Sequence, residues 1–336
     1  MKALVLQKPG HASIEAVPDP VVSAGEVLLK VRMVGLCGSD LNSYRGLNPM
    51  VSFPRIPGHE VCATIIESTS SHGLAIGTDV TLSPYTACGQ CASCRRGRSN
   101  ACKFNQTLGV QRDGALAEFI SVPVEKLYPA KLSPKEFSLV EPLTVGFHAV
   151  ARGRVTAADR VAVLGCGGVG LGAIAASHAR GAMTICIDMA DEKLNLARAA
   201  GGTHTINTAH ESLHDRLLEM TDGHGPDVIV EAIGTPATFR AAVEEVAFTG
   251  RVVYIGYAKE PVAYETRLFV QKELDVLGSR NALPEDFRAV IQMLESKQFP
   301  VDQAISLVAS LEEAGGILRS WSEDPSKYKK ILVSLD

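Results

Sequence analysis

The rhythm of hydrophobic and polar positions changes twice along the chain. Up to about residue 150 the apolar runs are short: KALVLQ, EVLLKVRMVG, EVCATIIEST, DVTLSPY and LAEFISVP. Turn-forming stretches such as PDP, SAGE and the RDG of Arg112 to Gly114 separate them. This texture predicts an irregular β-barrel or sandwich. From about residue 155, RVAVLG, MTICID, THTIN, DVIVEAIG, RVVYIG and LDVLGS alternate with Ala-rich or amphipathic segments at helical spacing. That alternation predicts βαβ units around a parallel sheet, so the fold class is α/β. After about residue 283, PEDFRAVIQMLESKQ and LEEAGGILRSW read as helices and KKILVSL as a closing strand. No internal repeat, low-complexity tract or linker interrupts the pattern.

Composition narrows the setting. The 336 residues are 46% hydrophobic and 21% charged, enough to build real cores without help from disulfides. The N-terminus, MKALVLQKPGHASIEAVP, lacks the features of a secretory signal, and no apolar run approaches the ~20 residues of a membrane span. A cytoplasmic, reducing location is the expectation. With a net charge of −4 and no basic stripe, nucleic acid and anionic membranes are poor partners.

In such a compartment, clustered cysteines point to metal or catalysis more than to disulfides. Four of the eight cysteines, Cys88, Cys91, Cys94 and Cys102, fall within TACGQCASCRRGRSNACKF. A ferredoxin-type run shares the first two spacings, but its fourth cysteine follows after about three residues and precedes proline. Here seven residues intervene and Lys103 follows. The spacing favours zinc held by four thiolates. Such a closed site has no position for substrate, so its role is structural. Arg95, Arg96 and Arg98 either offset the thiolate charge or form a solvated face.

The chemistry must then lie elsewhere. In VAVLGCGGVGLGAIAASHA, Gly165, Gly167 and Gly170 follow an apolar strand and open a helix in G-x-G-x-x-G spacing. The glycines give a tight turn, close backbone approach to a pyrophosphate and close helix packing, and the helix N-terminus supplies N–H groups for the phosphates. The next strand ends in Asp188, where an acid can accept from the adenosine ribose hydroxyls. A 2′-phosphate would meet a like charge there, so NAD is expected rather than NADP. Lys193 lies within reach of the same ribose edge or is merely solvated. Gly168 and Val169 lie in the same turn and complete its expected cofactor contacts.

Cys37 in VGLCGSDLNSYRG and His59 and Glu60 in FPRIPGHEVCATI offer a thiolate, an imidazole and a carboxylate. Three such ligands leave zinc one open position, although nothing in their spacing alone shows that they meet. Taken together, CGSD, GHE, the CxxCxxCx7C loop and GxGGxG resemble the zinc-dependent medium-chain dehydrogenase/reductase family over essentially the whole chain. The likeness is to its polyol and sugar-acid branch, which includes sorbitol and hexonate dehydrogenases.

The resemblance implies a GroES-like, β-rich catalytic domain in two pieces, residues 1–148 and 283–336. These flank a doubly wound Rossmann domain, residues 149–282. It implies two zinc ions per chain, the catalytic one on Cys37, His59 and Glu60, and assembly as a homodimer or homotetramer. Glu141, in LVEPLTVGFHA, matches a carboxylate of the branch. Cys37 thiolate and Glu60 already cancel the charge of zinc, so Glu141 is expected to bind the metal only in some states or through water. Asp40 resembles the acid that orients the histidine ligand.

The implied reaction is oxidation of an alcohol, zinc lowering the pKa of the substrate hydroxyl and NAD accepting the hydride. Ser39 matches the hydroxyl that first takes the proton, and it also reads as the N-cap of the following helix. Asn42 stands where many relatives carry a histidine and cannot titrate near neutrality, so the proton would leave through Glu60, Glu141 or water. The resemblance also implies that Ile233, Gly234, Ile255, Gly256, Ser279 and Arg280 contact the cofactor, and it makes Tyr44, Arg280 and Asn281 the substrate candidates. They suit a secondary hydroxyl of a sugar acid or polyol, of the L-gulonate or L-galactonate type. Sorbitol, galactitol-phosphate and threonine dehydrogenases are the alternatives within the family. A regulator that binds NADH without turnover is the rival class, but it would need no open metal site.

Overall fold

The computed structural model describes residues 1–69 and 74–336. Contacts divide the chain into two compact units. One comprises Met1–Glu141, Ile291–Ser296 and Val301–Asp336, the other Pro142–Val290 and Lys297–Pro300.

The first unit begins with strands β1 (Lys2–Lys8), β2 (His11–Ala16) and β3 (Glu26–Leu36), then helix α1 (Gly38–Tyr44). Strands β4 (Glu60–Ser68), β5 (Asp79–Leu82), β6 (Tyr85–Thr86), β7 (Gln106–Thr107), β8 (Phe119–Pro123) and β9 (Leu127–Pro129) follow. Helix α2 (Pro134–Arg152) carries the chain across the boundary between the units. The chain returns late with β16 (Leu307–Ser310), a strand not anticipated from the sequence, and β17 (Ile331–Ser334).

β3 shows why these segments extend. In EVLLKVRMVGL the alternate residues Val27, Leu29 and Val31 are fully buried, while Leu28, Lys30 and Arg32 are half-buried. Val34 to Leu36 are all buried, because β3 is the centre of its sheet. The order is β16-β17-β3-β4-β5-β9, and β8 pairs with the first half of β3. β1 and β2 form a separate antiparallel pair whose Leu4 and Leu6 join the same core.

The second unit contains strands β10 (Arg160–Leu164), β11 (Met183–Asp188), β12 (His204–Asn207), β13 (Val228–Glu231), β14 (Arg251–Tyr254) and β15 (Asp275–Gly278). Helices α3 (Gly168–Ala179), α4 (Asp191–Ala199), α5 (Leu213–Met220), α6 (Pro236–Glu245) and α7 (Arg267–Gln271) lie between successive strands, and α8 (Pro284–Glu295) follows. The strands are parallel in the order β12-β11-β10-β13-β14-β15. Both faces of β10 are covered, which explains its unbroken apolar run. The order reverses between β10 and β13, and the carboxyl ends of strands at such a reversal are where ligands bind in this architecture.

Candidate functional site

Three neighbouring strands bring the predicted metal ligands together in the first unit. β3 lies between β17 and β4, with Leu36 opposite Ile331 and Gly35 opposite Glu60. Cys37 follows β3, and Lys330 precedes β17, so both arrive at the end of the sheet where β4 opens with Glu60. Gly35 has a steric reason to be glycine: a Cβ there would overlap the Glu60 carboxylate. Ligand atoms of Cys37, His59 and Glu60 lie within 4.8 Å of one another. His59 is buried and Glu60 completely so. Among the described residues, His59 Nδ1 and Glu60 Oε1 have no hydrogen-bond partner. Unpaired buried polar groups cost about 1–3 kcal/mol each, and a thiol, an imidazole and a carboxylate at this spacing fit a zinc ion with one position open.

The segments carrying these ligands are tied to each other by Asp40. Its Oδ2 accepts from the Cys37 amide at 2.9 Å and its Oδ1 from the Gly58 amide at 3.1 Å. Asp40 Oδ1 is 3.8 Å from His59 Nδ1, beyond hydrogen-bond length. Asp40 therefore aligns the two backbones that present Cys37 and His59. Ser39 is not the N-cap expected from the sequence. Cys37 takes that position, with the extended backbone an N-cap needs, and Ser39 lies inside the first turn of α1.

Two residues at this centre escaped the sequence reading. Lys330 forms an ion pair with Glu60 and donates to the Leu36 carbonyl at 3.2 Å. Tyr85, at the start of β6, donates from its hydroxyl to Glu141 Oε1. Glu141 is buried on α2, followed by Pro142, which contributes no N–H to the helix. Glu141 stands outside the Cys37, His59 and Glu60 cluster.

The electrostatics follow from burial opposed by charge. Burial disfavours the charged form of His59, but Asp40 and Cys37 outweigh it and raise its pKa well above the usual value. Burial likewise opposes charge on Lys330, yet Glu60, Cys37 and Glu141 raise its pKa. Burial raises the pKa of Glu60, with Lys330 and His59 pulling the other way. Tyr85 is pushed well above its ordinary range by burial and then by Glu141, so its proton stays on the hydroxyl that Glu141 accepts. A cation entering the cluster would displace the proton that His59 attracts.

The four-cysteine segment forms its own lobe. β6 and β7 pair at its base, with Thr86 opposite Gln106. The sulfurs of Cys88, Cys91, Cys94 and Cys102 lie within 4.8 Å of one another and none is in a disulfide. Backbone amides point at them: Cys88 and Phe104 N–H groups each reach Cys102 Sγ at 3.3 Å, and Cys91 N–H reaches Cys88 Sγ at 3.4 Å. A hydrogen bond with Ser93 and amides of Cys94 and Lys103 lower the Cys91 pKa to about 5. Donors arranged around Cys88 and Cys91 favour thiolate there, the form a metal binds, whereas burial and the neighbouring thiols push the Cys94 pKa up to about 11. The cluster fits a structural zinc site.

In the second unit, the glycine turn follows β10 at the strand reversal. Gly165 has φ of +96°, and Gly170 packs so closely on the Gly165 carbonyl that a Cβ would collide with it. Gly167 differs: a Cβ there would meet no protein atom within 4 Å. The space its missing side chain leaves is open, as a phosphate approaching the start of α3 requires. Asp188 Oδ2 accepts from the Cys166 amide at 2.9 Å, and Lys193 Nζ lies 3.8 Å from Oδ1.

A further unforeseen residue is Glu231, completely buried at the end of β13. Its Oε1 accepts from the amides of Ile233 and Gly234 at 3.0 and 2.7 Å and from Thr238 Oγ1 at 2.8 Å. Gly256 abuts that carboxylate and Gly234. One acid thus shapes both turns named as cofactor contacts. Ser279 is buried after β15, and Asn281 has a left-handed backbone with φ of +52°.

Tyr44 requires a correction. It lies in the hydrophobic core of the first unit, and its hydroxyl donates to the Gly10 carbonyl at 2.9 Å. The hydroxyl assigned to substrate is thus already committed to the turn between β1 and β2. Among the described residues, no helix is long and apolar enough to cross a membrane.

Residues 23–132 match the family model described as alcohol dehydrogenase GroES-like domain, and residues 168–296 match zinc-binding dehydrogenase. The chain is 34% identical over 346 residues to sorbitol dehydrogenase of Bacillus subtilis (strain 168), covering 99% of this chain and 97% of the relative. It is 30% identical over 308 residues to L-galactonate-5-dehydrogenase of Escherichia coli (strain K12), covering 91% of each. A crystal structure of a short chain alcohol dehydrogenase from E. coli CFT073, complexed with NADH, is similar with a TM-score of 0.91 and 28% identity. The match covers 100% of this chain and 99% of that one.

Proposed function

The chain belongs to the zinc-dependent medium-chain family of alcohol dehydrogenases, and on that premise we propose that it oxidises a secondary hydroxyl of a sugar acid or polyol with NAD. The observation that carries the reading is the buried Cys37, His59 and Glu60 cluster with its unpaired His59 Nδ1 and Glu60 Oε1. A purely dinucleotide-binding regulator has no use for it. The substrate class is supported by the likeness to sorbitol and L-galactonate dehydrogenases.

When bound, zinc would supply a Lewis acid that lowers the pKa of the substrate hydroxyl, and NAD the hydride acceptor. Cys37, His59 and Glu60 hold the metal, and Asp40 keeps their backbones in place. Ser39 accepts the hydroxyl proton, and with Asn42 unable to titrate, Glu60, Glu141 or water takes it onward. Gly165, Gly167 and Gly170 admit the pyrophosphate, and Asp188 accepts from the adenosine ribose. Arg280, with a planar fork suited to carboxylates, and Asn281 recognise the substrate.

The test is NAD reduction across a panel of hexonates, polyols, threonine and simple primary alcohols, with and without a chelator. Activity on hexonates or polyols that chelation abolishes is expected. Turnover confined to primary alcohols or to threonine would sink the substrate class. A chelator-insensitive enzyme would sink the metal role.

Asp188 provides a separate prediction. Hydrogen bonds to a charged acceptor contribute about 1.5–3 kcal/mol, roughly ten- to a hundredfold. Asp188→Ser should lower kcat/KM for NAD by about that factor and narrow the gap to NADP. Equal use of NAD and NADP by the unmodified chain would refute this role.

A further inference from the structure

Charge bookkeeping at the metal cluster is incomplete without Lys330. Cys37 as thiolate, Glu60 and Glu141 bring three negative charges, against two positive charges of a zinc ion. Asp40 is already engaged by two backbone amides. Cys37 and Glu60 alone would balance the ion, and the excess negative charge comes from Glu141, which stands outside the ligand cluster but acts on both Glu60 and Lys330. Lys330 supplies the missing positive charge. Its ammonium pairs with Glu60 and lies close enough to Cys37 and Glu141 to feel both. The side chain is 11% exposed and is anchored by the Leu36 carbonyl, so solvent screens it weakly. Its placement is built into the sheet: β17 pairs with β3 so that Lys330 follows the register one step past Leu36, beside Cys37.

We propose that Lys330 is a positioning residue that serves as the resident counter-charge of the metal centre, competing with zinc for Glu60 and keeping the loaded site electrically neutral. The proposal rests on the assignment of zinc to Cys37, His59 and Glu60. It has an unusual sign. A residue that merely braces a metal site loosens the metal when removed. Removing a competing cation should instead tighten it, because the same ligands then face zinc with one more uncompensated negative charge. That extra charge also makes the metal a weaker acid toward a substrate hydroxyl. Binding and turnover should therefore move in opposite directions.

The experiment measures zinc affinity by chelator competition on purified full-length chain, with Cys37→Ser run in parallel to identify which ion is being read. Lys330→Met, uncharged and similar in length, should bind the ion at Cys37 about tenfold or more tightly, the scale of one unscreened charge at close range. Its kcat should fall about tenfold, and thermal unfolding of the zinc-free form should move down while the zinc-loaded form changes less. Lys330→Arg, which keeps the charge, should restore zinc affinity to within about threefold of the unmodified chain. Equal or weaker zinc binding in folded Lys330→Met, or in Lys330→Gln should the first variant not fold, overturns the proposal. If neither uncharged variant folds, Lys330→Arg decides it, and a change beyond tenfold counts against the charge. An unmodified chain that holds one zinc, insensitive to Cys37→Ser, would instead defeat the functional reading itself.

Discussion

Replacing Cys37 with serine should reduce turnover by about a thousandfold or more while leaving the chain folded. Metal ions contribute several kcal/mol to reactions of this kind, and each ~1.36 kcal/mol is tenfold in rate. Serine lacks an ionisable thiol, so the cluster loses both a soft donor and a negative charge. The local fold does not suffer for it. Cys37 is the N-cap of α1, and serine is among the best residues at that position. The half-buried side chain fills no core space. Metal analysis of Cys37→Ser should find one zinc fewer per chain, and the variant should remain folded at 25 °C with a melting temperature lowered only by the loss of the bound ion. Retained turnover, or an unchanged zinc count, would remove Cys37 from the active centre.

Cys88→Ser should do the reverse. The lobe between β6 and β7 has little apolar core, and its order rests on the sulfur cluster and the amides aimed at it. Losing one thiolate from a closed site forfeits a cross-link, a class of change that costs about 3 kcal/mol. For a domain of this size that is about 6–12 °C in melting temperature. Yield should fall as well, whereas kcat of the molecules still folded at 25 °C should stay within about threefold. Thermal unfolding and zinc analysis check it together. A variant that melts with the unmodified chain would show that the lobe holds its shape without metal. Loss of activity matching Cys37→Ser would instead make the cluster part of the catalytic machinery.

The two clusters were not equally legible. Cys88, Cys91, Cys94 and Cys102 lie within fifteen consecutive positions, so loop closure is cheap and the spacing itself encodes a tetrahedral site. The same holds for Gly165, Gly167 and Gly170, where strand, turn and helix occupy one short stretch and only local geometry is needed. The apolar rhythm likewise sufficed for the parallel sheet, because each strand buried on both faces carries its signal in its own residues. The shortest strands failed this test. β6 and β7 span two residues each, too few for any period to register, and the four residues of β16 include only one buried position.

Tyr44 shows the opposite limit. Its sequence neighbours are polar, yet the turn between β1 and β2 supplies a carbonyl for its hydroxyl, and no local signal reports that distant acceptor. At the metal centre, the identity of Cys37, His59 and Glu60 was readable by resemblance, but their meeting was not. That meeting depends on β3 pairing with β4 and on a glycine at Gly35 that makes room for a carboxylate. Lys330 lies still further away, 294 positions from the Leu36 carbonyl it binds, and in sequence it is one lysine among several before a closing strand. The amino-acid order determines which residues have metal, dinucleotide and core chemistry, since those are properties of side chains and of their immediate spacing. Which charges share one buried space is decided by strand pairing, because hydrogen bonds between β17, β3 and β4 set proximities that distance along the chain does not record.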